Sequence, residues 1–151
     1  MMTMSEILTG LISAFVMTLG FGLFFNQRIK HALIAAVVGL LTWGVYLLFT
    51  PATDNIFLLS GAATLFAGLA SEVMARVLRI PASAFLTVSV VVLIPGRALY
   101  YTLYHAIAGE RAVALQFGID TLLVVLGISA GIVFTGVCAK IFTNLWNRYK
   151  K

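Results

Sequence analysis

The sequence predicts an all-α, polytopic membrane protein with about five transmembrane helices, the fourth of them broken. Of the 151 residues, 62% are hydrophobic and 10% are charged, which is too little charge for a soluble domain of this length. The apolar residues form blocks of roughly 20, the length that a helix needs to cross about 30 Å of hydrocarbon. We therefore expect residues 1–151 to form a single transmembrane domain in a cell (plasma or inner) membrane.

The ends of the apolar blocks give the spans in order. A possible helix cap at Ser5 opens the first span, and Thr50-Pro51 stops the second. The third ends at Arg79, ahead of Pro81. The fifth is longer than a helix perpendicular to the membrane needs, which predicts a tilt or an extension into the cytoplasm. The predicted spans are about 5–25, 31–49, 56–77, 82–108 and 112–142.

The fourth span contains Ile94-Pro95-Gly96-Arg97 in the middle of an apolar run. Proline removes a backbone donor and clashes with the preceding turn, while glycine permits a bend. The half-helix that begins after Gly96 has unpaired amides and a dipole that favours an anion. Because broken transporter helices point such ends at substrate carboxylates, the break predicts a solute-binding site.

Arg97 is the leading candidate for contact with a solute, because lipid alone does not host its charge cheaply. Three tyrosines follow within two turns and share one helix face with it. That face either lines a polar cavity or brings the tyrosines to the membrane surface. The candidate substrate-binding residues are Pro95, Gly96, Arg97, Tyr100, Tyr101 and Tyr104.

Two acidic residues are candidates for proton coupling. Asp120 lies about two turns into the fifth span, where an unpaired carboxylate is costly unless a tilted helix leaves it in water. Glu72 lies one turn before Arg76, so a local ion pair is the alternative to a functional role. Arg97 itself has the alternatives of pairing with either acid or extending to water. His105, a lone histidine near a helix end, is interpreted as structural.

The basic residues predict the orientation of the chain. They follow the first, third and fifth spans, whereas the opposite loops contain Asp54 in one case and Glu110 with Arg111 in the other. The positive-inside rule then predicts an N-terminus outside the cell and a C-terminus in the cytoplasm. The basic residues at the predicted cytoplasmic ends are Arg28 and Lys30, Arg76 and Arg79, and Lys140, Arg148, Lys150 and Lys151.

Small residues recur at three- or four-residue spacing on several spans, which lets helices approach closely where lipid provides no hydrophobic drive. Packing within the chain accounts for most of these faces, and contact with another subunit is the alternative for the others. The faces are Gly10, Ala14, Thr18 and Gly22 on the first span, Gly61, Thr64, Gly68 and Ser71 on the third, and Gly127, Gly131, Thr135 and Ala139 on the fifth.

Several functional classes are disfavoured. The net charge of +5 is explained by topology signals, so nucleic acid is not an expected partner. Cys138 is the single cysteine, which excludes an internal disulfide and a cysteine-based metal site. Nucleotide loops, His-rich metal spacings, nucleophile elbows and paired catalytic carboxylates are missing, so we expect neither an enzyme nor a cofactor.

A string of residues along the chain is similar to a known family. The string is Ser71-Glu72, Ala75-Arg76, Pro81-Ala82, Phe85, Ile94-Pro95-Gly96 and Tyr100-Tyr101-Thr102. On these residues the chain resembles the threonine/serine exporters, and its length and five-span outline resemble the family's small subunit, which corresponds to the C-terminal half. In that family the residue after Pro-Gly is usually small or apolar, whereas here it is Arg97. The departure favours a more acidic substrate or a contact of Arg97 with a partner.

The resemblance implies an inner-membrane antiporter that exports a small, threonine- or serine-like amino acid or a related carboxylate in exchange for protons. It also implies a second, larger five-span subunit in the opposite orientation, with the site at the interface of the two. The alternatives are a structural or assembly subunit that binds no solute, and a homo-oligomeric channel formed by self-association.

Overall fold

A computed structural model describes residues 3–149 of the chain, with side chains as far as Ile141, and this part is helical without strands. The side chain of Arg148, together with Lys150 and Lys151, lies outside the described residues. A single 3₁₀ turn, Val91–Leu93, follows the fourth helix. The helices are α1 (Met4–Phe24), α2 (Ile29–Phe49), α3 (Ile56–Leu78), α4 (Ala82–Val90), α5 (Gly96–Ile107) and α6 (Arg111–Tyr149).

Four helices are long and apolar enough to cross a membrane by themselves, and α4 and α5 form a bent pair that makes a fifth candidate. The all-α fold with about five spans and a broken fourth is therefore confirmed. In α6 the apolar span covers Arg111–Ile141, or 31 residues, which exceeds the roughly 20 that a perpendicular helix needs. The orientation of the two termini remains a prediction.

Two helices begin at side-chain caps. Thr3, rather than the predicted Ser5, caps α1: its hydroxyl accepts from the amide of Glu6, and the Glu6 carboxylate accepts from the amide of Thr3 at 2.8 Å. This reciprocal capping box satisfies two amides, and Ser5 already lies inside the helix. At the start of α3, the side chain of Asn55 accepts from the amides of Phe57 and Leu58.

The small-residue face of α1 packs on the antiparallel helix α2. A Cβ added to Gly10 would lie 2.7 Å from Nε1 of Trp43, and one added to Gly22 would lie 3.0 Å from the Cβ of Ala32. Between these two contacts, a Cβ on Gly39 would overlap the side chain of Thr18. The face predicted on the first span is thus used within the chain.

The small-residue faces of α3 and α6 pack on each other in the same way. A Cβ on Gly127 would lie 2.5 Å from the carbonyl oxygen of Phe57, and one on Gly131 would lie 2.8 Å from that of Gly61. Further along, a Cβ on Gly68 would overlap the side chain of Thr135. Because contacting residue numbers rise together, the two helices run parallel.

The remaining helices, α4 and α5, pack at opposite ends of the four helices α1, α2, α3 and α6. α4 packs against α2 and α3 through Phe85 and Val88, which are buried with Ala35. α5 packs mainly on α6 and has no buried residue. Since Phe57 near the start of α3 lies beside Gly127, the part of α6 before Gly127 extends past the start of α3 and is accompanied by α5. We call this pair the α5–α6 hairpin.

The glycine contact between α3 and α6 predicts a strongly position-dependent effect of adding one methyl group. Gly131→Ala should lower the free energy of unfolding by about 1–3 kcal/mol, the usual cost of forcing extra atoms into a packed interior. Gly136→Ala is the matched control on the same helix, because no atom lies within 4 Å of its Cβ position. It should be neutral or stabilise by up to about 1 kcal/mol through helix propensity. Thermal unfolding of the purified protein in detergent measures both, and equal shifts would contradict the α3–α6 contact.

Candidate functional site

The break in the fourth span is a bend of 51° between Ala82–Leu93 and Gly96–Ile107. Proline disfavours helical geometry in the residue before it, and Ile94 accordingly has the extended angles φ −60° and ψ 125°. Upstream, α4 tightens into the 3₁₀ turn, and the amide of Ile94 donates to the carbonyl of Val91 at 3.1 Å. The turn packs against α1 and α2, which buries Val91 and Leu93.

Gly96 contributes less to the bend than its residue type suggests. Its φ is not positive, unlike that of Gly109 at the other end of α5. Proline therefore accounts for the break by its own restrictions. A Cβ on Gly96 would meet no atom within 4 Å, so the space beside the break is open on this side.

The start of α5 presents a positive end without a cap. No side chain accepts from its first amides, which lack helical acceptors in any α-helix. Arg97 lies in this first turn, is exposed, and places its guanidinium carbon 5.7 Å from the centre of the Tyr101 ring. None of the ion pairs among the described residues includes Arg97, so it pairs with neither Glu72 nor Asp120 there.

The tyrosines after Arg97 belong to an aromatic cluster that joins α5 to α6. Tyr101 stacks on Phe117 of α6, with ring centres 5.3 Å apart, and contacts Tyr100 edge-on at 5.4 Å. Tyr100 also stacks on Tyr104 at 6.2 Å. Tyr101 is half-buried, whereas Tyr100 and Tyr104 are more than half exposed. We use the name aromatic cluster for Tyr100, Tyr101, Tyr104, His105 and Phe117.

The opposite face of α5 borders a recess of about 650 Å³ between α5 and α6. Leu99, Thr102 and Ala106 line it from α5, and Arg111 and Ala114 are among its α6 residues. The exposed tyrosines therefore point away from this recess. On the side of the tyrosines the described residues form no second wall, so a polar cavity there requires another surface.

The two acidic candidates lie in different surroundings. Glu72 forms an ion pair with Arg76 one turn later, at 3.2 Å, as the simpler alternative for it predicts. Asp120 is half-buried and has neither a hydrogen bond nor an ion pair to any described residue. By helical spacing it lies on the same face of α6 as Val124 and Gly127, which pack inward. The described structure brings neither acid to Arg97.

These elements agree with the comparison to known families. The family model described as "Threonine/Serine exporter, ThrE" matches residues 10–138, which is most of the chain. The chain belongs to the threonine/serine exporter family. The match includes the break, the aromatic cluster and Asp120, and it confirms the resemblance seen in the sequence. The sequence matches no curated protein and no solved structure.

As a member of the threonine/serine exporter family, this chain is a membrane transporter of the exporter type. The family consists of transporters rather than enzymes. The apolar helices agree with a multi-pass protein of the cell membrane.

The sequence gives no indication of the role of Phe117, whose ring stacks on the rings of both Tyr101 and His105, because a phenylalanine in an apolar span carries no signal of its own. His105, interpreted from the sequence as a lone residue, has its Nδ1 2.5 Å from Oε2 of Glu110.

The glycines at the two ends of α5 should differ in how strongly alanine destabilises the protein. Gly96→Ala should change the free energy of unfolding by no more than about 0.5 kcal/mol, because its surroundings are open. Gly109→Ala should destabilise by about 1–2 kcal/mol, because its φ of +82° is strained for any residue with a Cβ. Thermal unfolding in detergent compares the two. A large loss for Gly96→Ala would contradict the open space at the break.

Proposed function

We propose that this chain is one subunit of an exporter that moves a small amino acid, threonine- or serine-like, or a related carboxylate, out of the cell in exchange for protons. The observation that carries the proposal is Arg97 at the uncapped start of α5, exposed and without a carboxylate partner among the described residues. A substrate carboxylate accepts charge-assisted hydrogen bonds from a guanidinium and is favoured by the positive end of a helix. Family membership supplies the substrate class.

The neighbours of Arg97 complete the proposed binding surface. Pro95 sets the start of α5, and Gly96 leaves room for a solute to approach the first amides. Tyr100, Tyr101 and Tyr104 supply phenolic hydroxyls, which can donate to or accept from the hydroxyl of threonine or serine. The ring of Tyr101 holds the Arg97 guanidinium by a cation–π contact, which orients the charge without neutralising it.

The exposure of α5 supports a second subunit. Tyr100, Leu103, Tyr104 and Ile107 are each more than half exposed, and α5 has no buried residue. Phenol groups in contact with lipid lack hydrogen-bond partners, so a protein surface is the better neighbour for this face. A second, larger five-span subunit in the opposite orientation would close the site there, and self-association is the alternative way to cover it.

An assembly role without transport is the second candidate, because the same exposed face of α5 would serve to hold a partner. Efflux separates the two. Cells that lack this chain and are fed threonine- or serine-containing dipeptides should accumulate the free amino acid if the chain exports it. Normal efflux would contradict the proposed function. Flux in proteoliposomes that contain this chain alone would instead support a self-sufficient homo-oligomer.

Replacing Arg97 tests the binding surface. Arg97→Ala should weaken apparent affinity for the exported amino acid by about 10- to 100-fold, which corresponds to a lost charged hydrogen bond of about 1.5–3 kcal/mol. Assembly should persist, since Arg97 is exposed and makes no ion pair among the described residues. Concentration-dependent efflux of labelled threonine and serine gives the affinity. The matched control is Arg111→Ala, an exposed arginine on the same hairpin. Loss of the complex in Arg97→Ala would favour the assembly role.

Replacing the acids tests proton coupling. Asp120→Asn should reduce export driven by a proton gradient by about tenfold or more, because Asp120 is half-buried and has no ion-pair partner among the described residues. Glu72→Gln should have a smaller effect, because Glu72 lies in a local, partly exposed ion pair with Arg76. Gradient-driven efflux in proteoliposomes of the purified exporter ranks the two. The reverse order would assign coupling to Glu72.

A further inference from the structure

The backbone geometry at the end of α5 brings the carboxylate of Glu110 into hydrogen-bond contact with the imidazole of His105. The amide of Glu110 donates to the carbonyl of His105 at 2.9 Å, and the amide of Gly109 donates to that of Ala106 at 3.3 Å. With Gly109 at φ +82°, these two bonds form a Schellman motif, which folds the residue after the glycine back over the last turn. The Glu110 side chain thereby reaches Nδ1 of His105 at 2.5 Å.

The aromatic cluster shelters the imidazole of this pair. Phe117 of α6 stacks on the His105 ring at 5.8 Å with nearly parallel planes, Tyr101 stacks on it at 6.0 Å, and Tyr104 contacts it edge-on at 5.2 Å. The side chain of His105 is 18% exposed, whereas that of Glu110 is 55% exposed. The carboxylate therefore faces the surroundings, and the imidazole lies behind it.

Few charged groups lie beside the pair. On α5 itself the titratable neighbours are Tyr101 and Tyr104, and from α6 the contact is the uncharged Phe117. None of the ion pairs among the described residues joins Arg111, the next residue in the chain, to Glu110, or His105 to Asp120. Since an ionised carboxylate only accepts, Nδ1–H of His105 donates to Glu110. The last carbonyls of α5 add further negative potential for a proton carried by the ring.

We infer that the His105–Glu110 pair is a proton-binding site of the exporter, at the end of α5 that the predicted topology places outside the cell. A proton from external water joins Nε2 of His105 while Nδ1–H stays bonded to Glu110, so the charge of the pair changes from −1 to 0. Histidine suits this task because its charge changes between about pH 5 and 8. The inference rests on the proposed function, which includes proton exchange. It identifies His105 and Glu110 as the residues that bind the proton on the outer side.

The pair is connected to both proposed working regions. Along α5, Tyr101 contacts His105 on one side and the guanidinium of Arg97 on the other, over about 12 Å of helix. Along α6, Asp120 lies one turn beyond Phe117. A proton taken up at His105 thus changes the charge at one end of the helix whose other end carries the proposed substrate contact.

Two transport assays on the complete exporter in cells separate a proton site from a structural histidine. The first measures export of labelled threonine or serine against external pH, and the second measures counterflow of labelled against unlabelled amino acid without a proton gradient. His105→Gln, which keeps a polar side chain without a titrating ring, should retain counterflow within about twofold. It should lose the dependence of export on external pH between about 5 and 8.

Two further variants sharpen the result. His31→Gln is the matched control, because His31 is the only other histidine and contacts Phe85 edge-on at 6.3 Å, away from the α5–α6 hairpin. It should keep the wild-type pH profile. Glu110→Gln changes a mainly exposed side chain and leaves the backbone motif intact, so it should fold normally, and because it removes the carboxylate that faces the imidazole it should change the pH profile of export.

The outcomes that overturn the inference are distinct from failure of the proposed function. Retained pH dependence in His105→Gln, or an unchanged profile in Glu110→Gln, overturns the proton site. Loss of counterflow together with export in a normally inserted His105→Gln protein assigns the histidine to structure or to the substrate path. Absence of threonine and serine counterflow in the wild type contradicts the proposed function itself.

Discussion

The close parallel contact between α3 and α6 is the interaction on which the rest of the structure depends. Gly127 and Gly131 let α6 lie against the backbone of Phe57 and Gly61 and against the small side chains of Ser60 and Thr64. In a membrane, where helices gain little from excluding lipid, such close approach supplies the van der Waals contact that holds them together. The register of this contact leaves the first part of α6 beyond the start of α3. That free part provides the surface on which α5, Phe117 and His105 are arranged.

A second constraint, the missing amide of Pro95, decides where α5 begins. Because Ile94 is pushed out of helical geometry, α4 closes in a 3₁₀ turn and α5 starts as a new helix with its own unpaired amides. A continuous helix would have used those amides internally and would have left Arg97 as a bare charge on a helix side. The break converts one span into two shorter dipoles, so a positive end appears within the apolar segment.

The sequence predicts much of the fold, because its spans, its break and its small-residue faces depend on local composition and spacing. The stripes on α1, α3 and α6 meet partners within the chain, as their spacing suggests. The contacts that the sequence does not predict depend on the register between helices. The stacking of Phe117 on Tyr101 and His105 follows from how α5 lies on α6, which no local pattern specifies. The His105–Glu110 contact is an exception, since Gly109 near the helix end is a readable signal for the motif that forms it.

The two ends of α5 are chemically opposite, and this polarity links the fold to the proposed exchange of an amino acid for a proton. One end offers a cation and free amides to an anion, and the other offers a carboxylate and helix carbonyls to a proton. Two ligands that bind separate sites can still be coupled, because each shifts the protein toward the conformation that it binds better, so the proposed exchange does not require a shared pocket. Because α5 packs mainly on α6 and buries no residue, whereas α4 packs on α2 and α3, α5 is the half of the fourth span with fewer contacts that would resist a movement relative to α1–α4.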